Sequence, residues 1–527
     1  MQHGKSGEDD DQNLLQADLG RRRFGGRLHN EEAILYPVWP GLSKSMNRLQ
    51  TRNLFVAILA LGLFTMAARS VTDPDVWWHL RTGQLIVQGH KIFHTDPYSF
   101  SKFGQLWIDH EWLAQILIYA TYSLASWGGL IFEFAAVIAT AFWIVFLRSP
   151  GRPYIAGAIT AWGAVASIPS WGVRPQMLTL LLASVFLLIV EKSYRRPNLL
   201  WWAPALMLLW VNLHAGYALG IVFLVLYLVG NVLDLAFGQG DLLDPATWFK
   251  RIALTTGICI AVVPLNPYGV RLYSYPLETL RSAAMLSNIA EWLSPNFHET
   301  KNFPILLMIL AILVLCALSP KKLRPSELLL LTATLYAALR SVRHIPIFVL
   351  IAVPILSGMI QACLEQSGRA RLFDTSIGSL SRSKLIFNWL LLIGMLIFCS
   401  VRLHYVIVHQ SQAEAREFPA AAASFIAESK PPSPMLNHYN WGGYFIWKLY
   451  PEYRVFIDGR ADVYGDSFIN NFASTYYLRG PSWQSLLEKW NIRTVVLPPD
   501  SPLVTALKSI PGWKTMFADP QAVVLSR

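Results

Sequence analysis

The feature that most constrains this chain is a succession of apolar runs, each long enough to cross most or all of a lipid bilayer. A transmembrane helix needs about 20 mostly apolar residues. The first such run extends from Asn53 to Ala68, and ten more follow at 130–147, 153–169, 175–191, 199–212, 217–236, 251–265, 303–319, 326–340, 345–363 and 384–402. The sequence therefore predicts a mainly α-helical polytopic membrane protein with about 11, and at most 13, transmembrane helices.

The charge content agrees with a membrane protein. Hydrophobic residues make up 54% of the 527 residues and charged residues only 15%, whereas soluble domains carry about 25% charge. The net charge of +11 comes from short basic clusters between the apolar runs, as in cytoplasmic loops of polytopic proteins. A soluble globular enzyme is therefore excluded, and we expect the lipid bilayer, not nucleic acid, as the partner of these charges.

The first basic cluster predicts the topology. Residues 1–52 form a polar tail without the apolar core and cleavage site of a signal peptide. Because Lys44, Arg48 and Arg52 precede the first run, we expect a cytoplasmic tail and an external loop at 71–110. The transmembrane domain then covers 53–403. The stretch 110–126 is apolar enough to span but is not among the 11 runs, and the side of the C-terminus, which we take as outside, depends on it.

The composition becomes that of a soluble domain from about Glu414, and we expect residues 414–527 to form an extracytoplasmic α/β domain. Helices separating strands at this spacing favour a small parallel sheet. The candidate strands are Pro434–Asn437, Tyr453–Ile457, Thr494–Pro498, Trp513–Phe517 and Ala522–Leu525. The candidate helices are Pro419–Glu428, Gly442–Leu449, Phe468–Leu478, Trp483–Trp490 and Pro502–Ile510.

Two acidic clusters in the first external loop indicate an interfacial active site. Asp75 and His79 follow the first span, and His110 and Glu111 lie at the next membrane entry. Carboxylates at such a position suit Mg²⁺ or Mn²⁺, which bridge acids to phosphates, so we predict metal ligands in Asp75 and His79. The alternative for the first cluster is a helix N-cap by Asp73 or Asp75 beside an interfacial tryptophan belt.

A second group of polar residues lies near the predicted ends of the spans. Ionisable groups there tend to face cavities or substrate paths, and cationic ones suit a lipid-linked phosphate. Besides Gln176, Asn212, His214, Asn266, Tyr268 and Arg271, the group contains the four candidates for phosphate binding, Arg174, Arg340, Arg343 and His344. Taken singly, each of them is also compatible with snorkelling or helix capping.

A third group lies in the C-terminal domain, where a strand is expected to turn into a helix. Glycine there allows close backbone approach, and residues at strand ends often form sites in open α/β sheets. The candidates for an acceptor site are Trp441, Gly442, Gly443, Tyr444, Asp458 and Arg460. The alternative is a tight turn with a structural Asp458–Arg460 pair. The chain has no Walker A, G-x-G-x-x-G, H-E-x-x-H or G-x-S-x-G motif, which disfavours the corresponding enzyme classes.

The first external loop resembles that of the C-type glycosyltransferases, polytopic enzymes that use polyprenyl-phosphate-linked sugars. The similarity lies in Asp73-Pro74-Asp75-Val76-Trp77-Trp78-His79-Leu80-Arg81, Gly89-His90 and Asp96-Pro97-Tyr98. It is closest to the acidic motif of oligosaccharyltransferase catalytic subunits, whose external aspartate binds metal and acceptor. The stretch Asn440-Trp441-Gly442-Gly443-Tyr444 is similar to their W-W-D-Y-G motif, but it lacks the aspartate, and a second D-x-E motif has no evident equivalent. These departures argue against transfer to a glycosylation sequon and fit better with the single-sugar transferases of the superfamily or with an uncharacterised branch of it.

The resemblance implies an integral-membrane glycosyltransferase that transfers a sugar from a polyprenyl phosphate to an extracytoplasmic lipid, glycan or protein. Asp75, with Glu111 and His110, would be catalytic, and the cationic group would neutralise the leaving phosphate. The location implied is the bacterial inner membrane, with the C-terminal domain outside. The competing hypothesis is a non-catalytic lipid-glycan transporter or assembly scaffold, although the inverted repeats of many transporters are not evident. The sugar, the acceptor and the oligomeric state stay open.

Overall fold

The computed structural model describes residues 49–373, 381–480 and 483–527. The predicted cytoplasmic tail, apart from its last four residues, lies outside this part of the chain. The described residues form a large helical region followed by a smaller C-terminal region that contains a β-sheet.

Every one of the eleven predicted runs lies on a helix. In chain order the helices of this region are α1 (Thr51–Ala67), α2 (Val76–Gly89), α3 (Trp112–Arg148), α4 (Pro153–Ser167), α5 (Gln176–Ser193), α6 (Trp202–Leu213), α7 (Tyr217–Ala236), α8 (Pro245–Ala261), α9 (Tyr275–Arg281), α10 (Ala283–Asn288), α11 (Phe303–Leu318), α12 (Pro325–Arg340), α13 (Ile345–Gln366) and α14 (Arg382–Val408). By length and composition, six helical segments of the described chain are able to cross a membrane: those of α3, α5, α7, α11, α13 and α14.

The stretch 110–126, which the span count omits, belongs to the long helix α3. This helix has 37 residues, which at 1.5 Å per residue is about 55 Å and exceeds the roughly 30 Å hydrocarbon core. Ala125 and Ser126 have non-helical backbone angles, with φ of +51° at Ser126. The break divides α3 into a segment that packs on α2 and a segment that coincides with the predicted run at 130–147.

Helix α13 lies at the centre of the helical region and α14 at its edge. In the apolar window of α13, 72% is buried within the protein, against 6% for α14. Helix α14 packs mainly on α1, and its remaining surface is apolar, as expected for a helix that faces lipid.

The C-terminal sheet is mixed, whereas the sequence analysis predicts a parallel one. Its strands are β1 (Met435–Asn437), β2 (Thr494–Leu497), β3 (Lys514–Ala518) and β4 (Val523–Ser526), in the order β1-β2-β4-β3. Only β1 and β2 are parallel, while β4 is antiparallel to both its neighbours. The physical reason is the short turn between β3 and β4, which returns the chain directly and cannot form the crossover that parallel strands need.

The helices of the C-terminal region match the sequence analysis within two residues at each end. They are α15 (Gln410–Glu417), α16 (Ala420–Ser429), α17 (Gly442–Leu449), α18 (Ala461–Tyr464), α19 (Asp466–Tyr476), α20 (Trp483–Lys489) and α21 (Pro502–Lys508). Of these, α15 and α18 have no counterpart among the predicted helices.

The predicted strand Tyr453–Ile457 is wrong, because this segment pairs with the loop at 71–110 and not with the sheet. Val455 N–H donates to Tyr98 O at 3.2 Å, and Phe100 N–H donates to Val455 O at 3.1 Å. The hydroxyl of Ser101 donates to Phe456 O at 2.5 Å. The same apolar residues that would suit a strand in the sheet therefore attach the C-terminal region to the loop that carries the acidic clusters.

Candidate active site

Asp75 directly precedes α2 and lines a cavity of about 590 Å³ between the helical region and the C-terminal region. Trp78 donates from Nε1 to Asp75 Oδ1 at 3.0 Å. Asp75 makes no side-chain capping bond to α2, which removes the capping alternative for this residue. Burial, followed by the charge of Asp73, raises the pKa of Asp75 to about 7. A carboxylate with that pKa suits a general base near neutral pH.

Glu111, at the start of α3, is surrounded by three imidazole rings. Its carboxylate oxygens lie 3.7 Å from His79 Nε2, 3.5 Å from His110 Nε2 and 3.4 Å from His214 Nε2. Burial alone would raise the pKa of Glu111, but His110, and then His79 and His214, hold it well below its ordinary range. Burial lowers the pKa of His79 to about 4 and that of His214 to about 3. At neutral pH the cluster therefore joins an ionised carboxylate to at least two neutral imidazoles.

This cluster has the composition of a metal site. His110, Glu111 and His214 each offer one ligand atom, and these three atoms all lie within 4.8 Å of one another. Two imidazole nitrogens and one carboxylate are a common zinc donor set, whereas Mg²⁺ prefers oxygen ligands throughout. The cluster thus differs from the site predicted on Asp75 and His79, because Asp75 is not among the grouped ligands and the donors favour zinc over Mg²⁺ or Mn²⁺.

The neighbours of His214 Nδ1 test whether this residue is able to bind a metal. Thr179 Oγ1 lies 2.8 Å and Gly216 N 2.9 Å from it. When Nδ1 carries the proton, it donates to Thr179, and Nε2 is free for a metal ion, which is the usual arrangement of a ligating histidine. When Gly216 N–H donates to Nδ1, Nε2 carries the proton and faces Glu111. These residues fit a zinc ion in the first tautomer, which leaves Nε2 without a proton and gives up the hydrogen bond from Gly216 N–H.

The four candidate phosphate-binding residues have different surroundings. Arg174 lines the cavity, but its guanidinium forms ion pairs with the carboxylates of Asp73 and Glu291. These carboxylates neutralise its charge. Arg340 is exposed and, unlike the other three, is absent from the cavity wall. The four residues look equivalent in the sequence, but the structure shows that they are not equally available to a phosphate.

Arg343 and His344 are available to an anion in the cavity. The guanidinium of Arg343 lies 5.0 Å from the ring centre of Trp292. Among the described residues no carboxylate lies within ion-pair distance of it. His344 lines the same wall, and its buried Nδ1 has no hydrogen-bond partner in the described part of the chain. An unpaired guanidinium beside an unused imidazole is a suitable site for a phosphate.

Most of the proposed acceptor residues have packing roles. A Cβ atom on Gly443 would lie 2.6 Å from Pro74 O, and one on Gly442 would lie 2.2 Å from Ile457 O. Tyr444 is buried and donates to Glu414 at 3.0 Å. None of these residues, nor buried Trp441, is on the cavity wall. The C-terminal residues that do line it are Tyr439, Asn440, Gly459, Arg460, Ala461 and Asp462.

Arg460 is held in a buried ion-pair network. Its guanidinium lies 2.7 Å from Asp458 and 2.8 Å from Asp96 of the loop at 71–110. The rings of Tyr98 and Trp107 flank it at 4.9 and 4.6 Å. These contacts favour the structural alternative for the Asp458–Arg460 pair, because they fasten the C-terminal region to the loop.

Asp462 and Glu291 are among the cavity residues that the sequence did not single out. Asp462 follows Arg460 by two residues and has access to the cavity, a position that its proximity to Asp458 and Arg460 could have suggested. Glu291 lies alone in a polar loop, where no local pattern distinguishes it. His214 was among the polar residues at span ends, but nothing local connected it to Glu111.

Solved structures of other proteins resemble this one in part. No protein-family model matches the chain, and no curated protein matches it in sequence. The archaeal oligosaccharyltransferase AglB from Archaeoglobus fulgidus, in complex with an inhibitory peptide and a dolichol-phosphate, has a TM-score of 0.52 and 11% identity, over 84% of this chain and 68% of that one. ArnT from Cupriavidus metallidurans in the apo state has a TM-score of 0.45 and 15% identity, over 90% and 97%.

The likeness to AglB, at 11% identity, concerns the fold alone. The six described helical segments that are long and apolar enough to cross a membrane agree with a polytopic membrane protein.

Proposed function

We propose that this protein transfers a sugar from a polyprenyl-phosphate-linked donor to an extracytoplasmic acceptor at the outer face of a bacterial inner membrane. The observation that carries the proposal is one cavity in which Asp75 and Arg343 face the same space. Apolar side chains from two helices form another part of its wall, among them Met177, Leu180 and Val222. Such a cavity combines a base, a phosphate-binding cation and a surface for an isoprenoid chain.

The chemistry follows from these groups. The acceptor hydroxyl attacks the anomeric carbon while Asp75 takes its proton, and the bond between that carbon and the phosphate oxygen breaks. Arg343 neutralises the charge that develops on the departing polyprenyl phosphate. A zinc ion held by His110, Glu111 and His214 would supply Lewis-acid polarisation. The pairing of Arg174 with Asp73 and Glu291 holds the loop beside Asp75 in position.

The test is transfer by the purified protein in nanodiscs with radiolabelled undecaprenyl-phosphate sugars. We expect release of undecaprenyl phosphate, loss of this release in Asp75→Asn, and unchanged release in Asp500→Asn, an exposed residue outside the cavity. Nucleotide sugars should not serve as donors. Lipid binding without any release from a full set of donors would instead support the non-catalytic transporter or scaffold.

The orientation is tested separately. A reporter that is active only outside the cytoplasm, fused after Arg527, should be active. Activity of a cytoplasmic reporter at the same position would contradict the external location of the cavity.

A further inference from the structure

Asp462 is a further carboxylate on the cavity wall. It lies in the first turn of α18, on the side of the cavity formed by the C-terminal region, and its side chain is exposed. Among the described residues no lysine, arginine or histidine lies within ion-pair distance of it. Both carboxylate oxygens of Asp458, four residues earlier, by contrast accept hydrogen bonds from Arg460 or Tyr464. Asp462 therefore has no ion pair among these residues, and its carboxylate interacts with the hydroxyl of Tyr275.

Groups that form hydrogen bonds surround Asp462. It interacts electrostatically with the hydroxyl of Tyr275 and with His110, whose rings are 4.4 Å apart. The hydroxyl of Tyr439 interacts electrostatically with both Asp75 and Asp462. It lies 3.3 Å from Gly459 O. Although Asp462 is open to the cavity, the surrounding protein raises its pKa by desolvation. This part of the wall is rich in carboxylate and phenol groups.

The charge of this region selects the ligand chemistry. A phosphate would be repelled by Asp75 and Asp462 and attracted to Arg343. Uncharged hydroxyl groups, by contrast, donate hydrogen bonds to a carboxylate, and two neighbouring hydroxyls are able to bind its two oxygens at once. Flanking tyrosines add flat surfaces for a sugar ring.

We propose that Asp462 binds vicinal hydroxyl groups of a saccharide acceptor and holds the attacking hydroxyl towards Asp75. The inference rests on the proposed function and extends it, because it names a glycan as the acceptor and gives the C-terminal region a direct part in binding it. Asp462 is then a specificity-determining residue, and a lipid or protein acceptor would be recognised through its glycan part.

The experiment measures two ligands on the same protein in nanodiscs. Binding of a set of methyl glycosides is followed by saturation-transfer NMR, and binding of radiolabelled undecaprenyl phosphate by filtration. Asp462→Asn preserves shape and removes the charge, and Asp500→Asn is the matched control. We expect Asp462→Asn to weaken glycoside binding at least fivefold, to change undecaprenyl phosphate binding less than twofold, and to leave the melting temperature unchanged.

The remaining outcomes decide against one proposal or the other. Lipid binding by the wild type without binding of any glycoside overturns the role of Asp462 and leaves the proposed function standing. Equal weakening of both ligands, or a lowered melting temperature in Asp462→Asn, also overturns it. Absence of undecaprenyl phosphate binding in the wild type overturns the proposed function itself.

Discussion

The carboxylate of Asp75 lies directly against the backbone of Gly459. A Cβ atom on Gly459 would be 1.8 Å from Asp75 Oδ1, a distance that no side chain tolerates. Asp75 belongs to the loop at 71–110 and Gly459 to the C-terminal region, so the candidate base is positioned by two distant parts of the chain. Each of them is needed to build the site.

We therefore expect Gly459→Ala to displace Asp75 and to lower sugar transfer about 100-fold, since a shift of about 1 Å at a reacting group has an effect of that order. The control is Gly89→Ala, because nothing lies within 4 Å of a Cβ atom there. Transfer rates of the two variants in nanodiscs provide the measurement. Equal rates for Gly459→Ala and the wild type would show that the contact with Asp75 is unimportant.

The pH dependence of transfer reports on Asp75. Its pKa is raised to about 7, chiefly by burial, and only the deprotonated form is able to accept a proton, so the rate should rise as the pH increases through about 7. Trp78→Phe removes a hydrogen bond that lowers the pKa of Asp75 and should move the rising limb about one unit higher. A pH profile identical to that of the wild type would contradict the assignment.

Arg343 and Arg340 form a matched pair for testing donor binding. Arg343→Ala should weaken binding of undecaprenyl phosphate about tenfold or more, the value of a charge-assisted hydrogen bond. Arg340→Ala should change it less than twofold, because Arg340 is exposed and outside the cavity wall. Filtration assays with radiolabelled lipid make the comparison. Similar losses in both variants would point to a general charge effect.

Zinc should copurify with the protein at about one ion per chain, as measured by elemental analysis. His214→Ala removes one of the three grouped ligands and should lower the zinc content severalfold. His298→Ala, at an exposed residue outside the group, should retain it. Zinc content that is equal in the two variants would show that the ion is held elsewhere.

Arg460→Ala should destabilise the protein by about 3–5 kcal/mol, because it leaves two buried carboxylates unpaired. Its melting temperature should fall clearly below that of Arg493→Ala, a change at an exposed position that should cost less than about 0.5 kcal/mol. If Arg460→Ala keeps the wild-type melting temperature and loses glycoside binding alone, the original acceptor-site interpretation is correct and the structural one is wrong.

Local patterns identify most of the helices but not the partners of their polar residues. The run at 217–236 coincides with α7, and the predicted helix Gly442–Leu449 with α17, because apolar length and periodicity depend on neighbouring residues alone. The prediction of a strand at Tyr453–Ile457 was wrong because strand pairing depends on residues that are remote in the sequence. Its β-forming residues suit any edge, and only the docking of the C-terminal region decides which edge they join.

The sequence by itself determined the membrane class and the positions of the helices, since these follow from hydropathy and from the length of the apolar runs. Only the tertiary structure decided which charges neutralise one another. Arg174 and Arg343 look alike in sequence, yet two carboxylates pair with Arg174 and, in the described chain, none pairs with Arg343. His214 likewise reaches Glu111 only because α3 and α6 pack together. Coulombic energies depend on distance in space, and distance in space between remote residues is set by the packing of the whole chain.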